Sequence, residues 1–403
     1  MRNLFLLIGI AILVLTQTAC NKLLPGGVEE NEVLDGTIDG LSLSEQTKFS
    51  VGDEAFAKVF TAETGLGPAF VETSCISCHV GDGRGHPFSE LIRFNHISAT
   101  GYVDHLEILG GPQLQHRSII GYETESIPDK ANGVTSLLGP PVTGLGFLEA
   151  VADEDIIALA DPNDVDGDGI SGAVSYITPP SYFKPFDFNK PNADGQYIGR
   201  FGRKSSAINL QIQTAQAYRQ DMGITSELEP KEPEGLEVAA HEADVSNEEI
   251  EAVIFYMQTL KAPLRRNELD EAVVSGETLF EQIQCTACHV SELKTSNFPI
   301  AGLSNKTFQP YTDLLLHDMG DELNDNYTEG SATTAEWRTS PLWGLGLAAD
   351  AQGGQLFLMH DGRAKSLDEA IQLHGGEGSK SRVAYNKLSE TQKQQVIAFL
   401  ESL

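Results

Sequence analysis

Positive charge is what this sequence has least of: 27 Lys and Arg stand against 58 Asp and Glu in 403 residues, a formal net charge of -31. Nucleic-acid binding needs clustered cations to displace the counterions of phosphate, so that class of function is excluded, and an anionic membrane surface falls on the same ground. Disorder is excluded by a hydrophobic content of 40 %, enough for one large core or two modest ones. Cysteine is scarce too. The five fall at 20, 75, 78, 285 and 288, one alone and two in close pairs, which is not the pattern of a disulfide framework. Tryptophan is scarcer still, with only Trp337 and Trp343.

The N-terminus carries an address. Arg2 precedes an apolar run from Leu4 to Leu15, and Thr16-Gln-Thr-Ala-Cys20 follows. Twelve apolar residues are short for a membrane span but fit the core of a secretory signal. The segment resembles a bacterial lipoprotein signal, in which Cys20 becomes the lipidated N-terminus. The expectation is a lipoprotein on the periplasmic side of a bacterial membrane, or otherwise a periplasmic or secreted protein, touching the membrane through its anchor alone.

Each paired cysteine belongs to a Cys-x-x-Cys-His string: Cys75-Ile-Ser-Cys78-His79 and Cys285-Thr-Ala-Cys288-His289. Two thiols three positions apart, on a turn entering a helix, can add to the two vinyl groups of one haem, and the adjacent histidine then reaches the iron as proximal ligand. Two covalently bound haem c groups are therefore expected. Zinc ribbons keep their two pairs about 15–20 residues apart, whereas these lie more than 200 apart. Thioredoxin-type pairs do not call for the trailing histidine.

Similar parts follow each motif in the same order. Pro141-Val-Thr-Gly-Leu-Gly146 answers to Pro341-Leu-Trp-Gly-Leu-Gly346, and Phe201-Gly-Arg203 to Asp361-Gly-Arg363. Ile250, Val253, Ile254 and Met257, like Val396, Phe399, Leu400 and Leu403, stand at i, i+3, i+4 and i+7, the spacing of a helix with one buried face. Ser246 with Glu249 and Ser389 with Gln392 read as capping boxes that open these helices. The pattern predicts a mainly α fold: two tandem cytochrome c-like haem domains with long loops. Residues 1–19 form the signal, 20–45 a lipid-anchored tether, 46–265 the N-terminal haem domain with an acidic insertion, and 266–403 the C-terminal haem domain. The insertion contains Asp164, Asp166 and Asp168 at alternate positions before a glycine, oxygen ligands suited to calcium. Its twelfth loop position is Ser175 rather than glutamate, so a regular EF-hand is not supported, and a solvated acidic turn is the alternative.

The strings Gly65-Leu-Gly-Pro-Ala-Phe70, Asp82-Gly-Arg-Gly85, Asp221-Met-Gly-Ile-Thr-Ser226, Tyr311-Thr-Asp-Leu-Leu-Leu-His-Asp-Met-Gly320, Glu336-Trp-Arg-Thr339 and His360-Asp-Gly-Arg-Ala364 together resemble the bacterial di-haem oxidoreductases, relatives of the di-haem cytochrome c peroxidases. The resemblance implies a reaction haem in the N-terminal half and an electron-transfer haem in the C-terminal half. In the related peroxidases a distal methionine follows the His-Asp-Gly histidine by fourteen residues, and that place, counted from His360, is His374. Ser366 with Glu369 caps a helix on which Leu367, Ala370, Ile371 and His374 share one face before Gly375-Gly376. A bis-histidine haem, His289 with His374, is expected at a lower reduction potential than a methionine-ligated one. Met319, His317 and Met359 are the reserve ligands.

Aligning Leu210 with Leu367 puts Ala217 where the second half has His374, so the first haem is expected to have an open or readily opened sixth position. His86, His96, His105 and His116 follow the first motif, with His96 the best candidate cap; the place of the resting ligand in related peroxidases is here Asn95. Gln213 matches the glutamine of the peroxidase site, and Asp221-Met222 resembles its Glu-Met pair. A carboxylate there can move a proton between peroxide oxygens while a glutamine holds them. Arg84 and Arg203 could stabilise departing negative charge, although an arginine beside a haem more often pairs with a propionate. The expected function is reduction of hydrogen peroxide with electrons from a basic redox partner, a small cytochrome or cupredoxin. The alternatives are an electron carrier without turnover, or an oxidase of a side chain or thiol in a partner protein.

Overall fold

The computed structural model describes residues 31, 33–231 and 243–403. The signal over 1–19 and Cys20 lie outside them. Leu34–Leu403 forms one compact unit, and no helix among the described residues is long and apolar enough to cross a membrane.

Six helices organise the two halves: α1 (Leu43–Ala57), α2 (Leu210–Met222), α3 (Asn247–Thr259), α4 (Glu271–Gln282), α5 (Leu367–Gln372) and α6 (Glu390–Ser402). The expected apolar stripes are buried: Ile250, Val253, Ile254 and Met257 on α3, and Val396, Phe399, Leu400 and Leu403 at α6. Packing α1 on α3 and α4 on α6 repeats one crossing. Gly52 of α1 lies against the Ala252 carbonyl and Tyr256, and Gly276 of α4 against the Gln395 carbonyl and Phe399, leaving no room for a side chain at either glycine. Each close approach needs the missing Cβ, which offsets the cost of a glycine within a helix.

The caps differ in detail. Ser389 and Gln392 form the full box, whereas Ser246 accepts from the Glu249 amide at 3.2 Å while the Glu249 carboxylate binds Lys58, just past the end of α1, instead. The ion pair removes the second half of that expected box. Residues 34–41, read from sequence as part of a tether, also pack on the body: Ile38 and Leu41 are buried against Phe298, Ile300 and Leu303, and Thr37 pairs with Leu260.

The mainly α expectation is corrected to a mixed, helix-leaning fold of 35 % helix and 12 % strand. Much of the difference lies in loops after the first motif. Strand β1 (Leu91–Ile97) pairs antiparallel with β2 (Val103–Asp104) and β3 (Gly133–Leu137), in the order β2-β1-β3. Phe94 of β1 is fully buried with Leu106 and Leu114, so this extension carries a small core of its own. In the second half β4 (Leu316–Asp318) pairs with β5 (Glu336–Arg338). Two larger cores flank these elements. One gathers α1, α2 and α3 but takes in Leu293, Leu314, Leu315 and Trp343 from beyond residue 265; the other draws wholly on residues from Val273 onward.

Candidate haem sites

Both motifs are built alike. Cys75–Cys78 makes one helical turn and Cys285–Ala287 one 3-10 turn, each placed by the helix before it, α1 or α4. The His79 Nδ1 donates to the Gly83 carbonyl at 3.3 Å, and the His289 Nδ1 to the Tyr311 carbonyl at 2.9 Å. Phe56 and Phe280 lie with ring centroids 6.2 Å from His79 and His289 respectively. Burial pushes both imidazoles down to about 4, so they are neutral at pH 7, and the tied Nδ1 leaves Nε2 as the free lone pair. A neutral imidazole with an oriented outer hydrogen bond is what an iron ligand requires.

Above the second motif stands His374. Ser366 caps α5 by accepting from the Glu369 amide at 3.1 Å, and the chain passes His374 immediately after that helix ends. The His374 Nδ1 bonds the Ala370 carbonyl at 2.7 Å, which again frees Nε2. Its ring centroid is 6.4 Å from that of His289, with the planes 53° apart. Two metal–nitrogen bonds of about 2 Å, plus about 1 Å from each nitrogen to its ring centre, would put axial imidazoles about 6 Å apart. The spacing therefore suits two ligands of one iron. Between and around the two rings lies an apolar cavity with an empty volume of about 1390 Å³ counted out to its open mouth, walled by Leu342, Leu345, Leu358, Ile371 and Leu400 among others. Of the reserve ligands, Met319, Met359 and His317 all reach its wall. His317 is already engaged: its two ring nitrogens meet Asp313 and Glu377 at 2.8 and 2.7 Å. Burial works against its charge, yet bonds to Asp313, Cys288 and Glu377 push it up to about 12.

Three buried arginines, Arg84, Arg203 and Arg338, line the same cavity. Burial lowers all three, Arg84 and Arg338 to about 10, and repulsion from Arg84 adds to it at Arg203 and Arg338. Arg203 donates to the Leu138 carbonyl and Arg338 to the Gly202 carbonyl. Among the described residues none of the three has a carboxylate partner, and Arg84 makes no hydrogen bond at all. Uncompensated buried charge of this size is expensive, and haem carboxylates would answer it. The two thiol pairs, each with a neutral imidazole beside it, fit two covalently held haems.

The first motif faces a different distal side. On α2, Gln213, Ala217 and Asp221 fall at i, i+4 and i+8, so they share one stripe with the small residue in the middle. By the repeat, Gln213 and Ala217 answer to Ala370 and His374, which line the second cavity. Gln213 and Asp221 do not meet, being about 12 Å apart along the helix. Asp221 lies near enough to Cys75 and Cys78 to raise both thiols electrostatically, an effect secondary to their burial. Burial pushes the Asp221 carboxyl up to about 6, against the opposing pull of Gln113 and Arg93. The Gln113 amide donates to it at 2.5 Å, and Arg93 donates to Gln113 at 3.2 Å while pairing with Glu329 from the second half.

The candidate histidine caps are scattered. The His96 Nδ1 bonds the Lys130 carbonyl at 2.8 Å on a surface strand, His86 packs between Phe88 and Phe357, and Asn95 donates to the Thr328 carbonyl. His105 and His116 each bury an Nδ1 that has no partner among the described residues. In the insertion, Asp164, Asp166 and Asp168 bring carboxylate oxygens within 4.8 Å of one another. Each already accepts from a loop amide, of Gly169, Asp168 and Ile170 respectively.

Sequence reasoning left both tryptophans unplaced. Trp337 lies in the cavity wall, stacked on His360 with centroids 3.7 Å apart and planes 6° apart, and Lys204 sits 3.9 Å from its ring centre. The His360 carbonyl accepts from Leu138 at 2.7 Å, and the next residue, Gly139, packs on the His79 ring. Trp343 packs on Phe308 in the first core. Gln113, Arg93 and Arg338 were also missed. Only Arg338 had a signal, its place in the Glu336-Trp-Arg-Thr339 string.

A family model described as "Di-haem oxidoreductase, putative peroxidase" matches residues 126–403. No curated protein matches. Among solved structures, a hydrazine synthase from Kuenenia stuttgartiensis is similar at 14 % identity, over 94 % of this chain and 98 % of that one, with a TM-score of 0.38. A MauG-like protein associated with microbial copper homeostasis is similar at 14 % identity, over 94 % and 95 %, with a TM-score of 0.41. Both likenesses are distant.

Proposed function

The chain belongs to the di-haem oxidoreductase family, and from that premise we propose that it reduces hydrogen peroxide at its N-terminal haem, with electrons relayed through its C-terminal haem from a protein donor. The observation that carries the proposal is the contrast between His374, 6.4 Å from the ring of His289, and Ala217 at the matching place of the repeat in the first half. Haem supplies an iron that can bind an oxidant where a coordination position is open and pass electrons where both are filled.

The chain's own groups have these roles. His79 and His289 are the proximal ligands and His374 closes the second haem. Ala217 leaves space for peroxide, Gln213 one turn before it holds the bound oxygens, and Asp221 one turn after it carries the proton from one oxygen to the other. Gln113 fixes the carboxylate of Asp221 through its amide. Arg84, Arg203 and Arg338 hold haem carboxylates, and the Trp337–His360 stack fills the space between the wall of the second cavity and the backbone under His79. Two electrons and two protons convert each peroxide to two waters.

The protein is anchored through Cys20 on the periplasmic side, and its acidic surface favours a basic donor such as a small cytochrome or cupredoxin. Asp164, Asp166 and Asp168 take calcium in the same reading, which calorimetric titration checks. Rapid mixing of the fully reduced holoprotein with peroxide tests the function. Both haems should oxidise within one turnover. Haems that stay reduced leave an electron carrier, and oxidation that no small cytochrome or cupredoxin can reverse points to a protein substrate.

A further inference from the structure

We propose that Glu377 is a positioning residue that holds His374 over the C-terminal haem, and that Ser171 in the acidic insertion of the N-terminal half anchors it there. The inference rests on His374 being an axial ligand. His374 lies beyond the end of a six-residue helix and is followed by Gly375 and Gly376, so its own segment orients the ring through the Ala370 carbonyl but offers little to hold the turn that carries it. Glu377 comes directly after the glycines. Its carboxylate accepts four bonds: from the Ser171 amide at 3.0 Å, the Ser171 hydroxyl at 2.7 Å, the Asp318 amide at 3.2 Å and the His317 Nδ1 at 2.7 Å. His317 is itself held by Asp313 through Nε2 at 2.8 Å, so it meets Glu377 with its ring fixed from behind.

Two bodies thus grip the turn. From the second half, strand β4 approaches so closely that a side chain at Gly376 would strike the Asp318 carbonyl, and one at Gly375 the Met319 carbonyl. From the first half comes the insertion. Ala173 exchanges backbone hydrogen bonds of 3.0 and 2.8 Å with Leu316 of β4, and Lys380, three residues beyond Glu377, donates to the Asp168 carbonyl. Ser171 lies between these ties, with both its donors on Glu377. Charge-assisted bonds of this kind are the stronger sort, and four on one carboxylate fix a turn that two glycines would leave loose. A metal–imidazole bond is about 2 Å long, so slippage of the turn by a fraction of that length releases the ligand.

The test uses the holoprotein with both haems attached and reads ligation. Reduced wild type is titrated with carbon monoxide, and the low-spin bis-imidazole resonance of the C-terminal haem is recorded in the oxidised state. Glu377→Ala should bind one equivalent of carbon monoxide more than wild type and lose most of that resonance. Glu377→Gln should show part of the effect, because an amide keeps one acceptor oxygen. Ser171→Ala, which removes a single hydroxyl and will fold, should bind carbon monoxide at the C-terminal haem to an extent between wild type and Glu377→Ala. Stoichiometry and resonance unchanged in Glu377→Ala, or no added carbon monoxide bound in Ser171→Ala, overturn the proposal. His374→Ala separates the premise from the inference. If it opens the C-terminal haem while the Glu377 and Ser171 variants do not, only the positioning role fails; if it changes nothing, both fail.

Discussion

The two haem sites share a scaffold and differ at one surface. Around the motif histidines the halves correspond: a buried phenylalanine 6.2 Å from each ring, a carbonyl on each Nδ1, and a glycine at each helix crossing. At the matching places of the repeat, His374 follows α5 while α2 carries Ala217 between Gln213 and Asp221. Scaffold positions are constrained by packing density, where a single methylene is felt, so they survive duplication. A residue on the stripe that answers to His374 is free of those packing constraints, and its identity can change without disturbing the fold. On the function proposed above, the difference between the halves would therefore be concentrated in one helical stripe.

Closing that gap should have the largest effect. Ala217→His supplies the first haem with the ligand the second has, and peroxide turnover should fall by more than about 10⁴-fold, beyond what loss of a proton-transfer group alone accounts for. The high-spin signal of the N-terminal haem should disappear with it. Full activity in a variant shown to be low-spin at both haems would break the comparison. Asp221→Asn is next. Removing the carboxylate should lower turnover by about 10²–10⁴-fold. Burial places the Asp221 carboxyl at about 6, and the carboxylate form is the one that accepts the peroxide proton. Wild-type activity should accordingly fall as pH drops through about 6 and level off above it, and the asparagine variant should lose that limb of the profile.

How much of this was legible in the sequence follows from which constraints are local. The Cys-x-x-Cys-His strings, the buried stripes of α3 and α6, and the Ser366 cap before His374 each depend on neighbours within a few residues, so spacing alone reveals them. The Gln113 contact with Asp221 joins positions 108 residues apart through a strand extension that no periodicity announced. Trp337 could be placed in the wall of the second cavity only once β5 was paired with β4. The Ser246–Glu249 box failed for a similar reason, because Lys58 competes for the carboxylate from just past the end of another helix. The strand near residues 91–97 went unread since its alternation is broken, with only Phe94 and Asn95 buried, and that near 133–137 because its buried places fall on Gly133, Thr135 and Leu137 while Val134 faces out.

His374→Met sharpens the contrast from the other side. A thioether ligand favours the reduced iron, so the C-terminal haem should rise in reduction potential and gain a methionine-to-iron charge-transfer band, while the N-terminal haem keeps its spectrum. Spectroelectrochemistry reads both at once. A potential that stays put would mean that His374 does not ligate the iron in the wild type.

The smallest effect concerns the shared scaffold. Gly52→Ala and Gly276→Ala each place a methyl group against a carbonyl oxygen and a side-chain Cβ of the facing helix, so each should cost about 1–3 kcal/mol by overpacking. The two are not fully equivalent. Tyr256, which Gly52 touches, donates its hydroxyl to Asp82 at 2.6 Å beside the first haem motif, whereas Phe399, which Gly276 touches, has no polar group to anchor. Pushing Tyr256 outward also strains a bond to a half-buried carboxyl that burial has already raised to about 6. Gly52→Ala should therefore lose more stability than Gly276→Ala by about 0.5–1.5 kcal/mol, the net worth of one hydrogen bond. Introducing Tyr256→Phe should bring the two penalties together. Denaturant midpoints of the two glycine variants and their parents, with and without Tyr256→Phe, measure this, and a Gly276→Ala penalty that equals or exceeds that of Gly52→Ala with Tyr256 intact would show that the hydroxyl does not stiffen the first crossing.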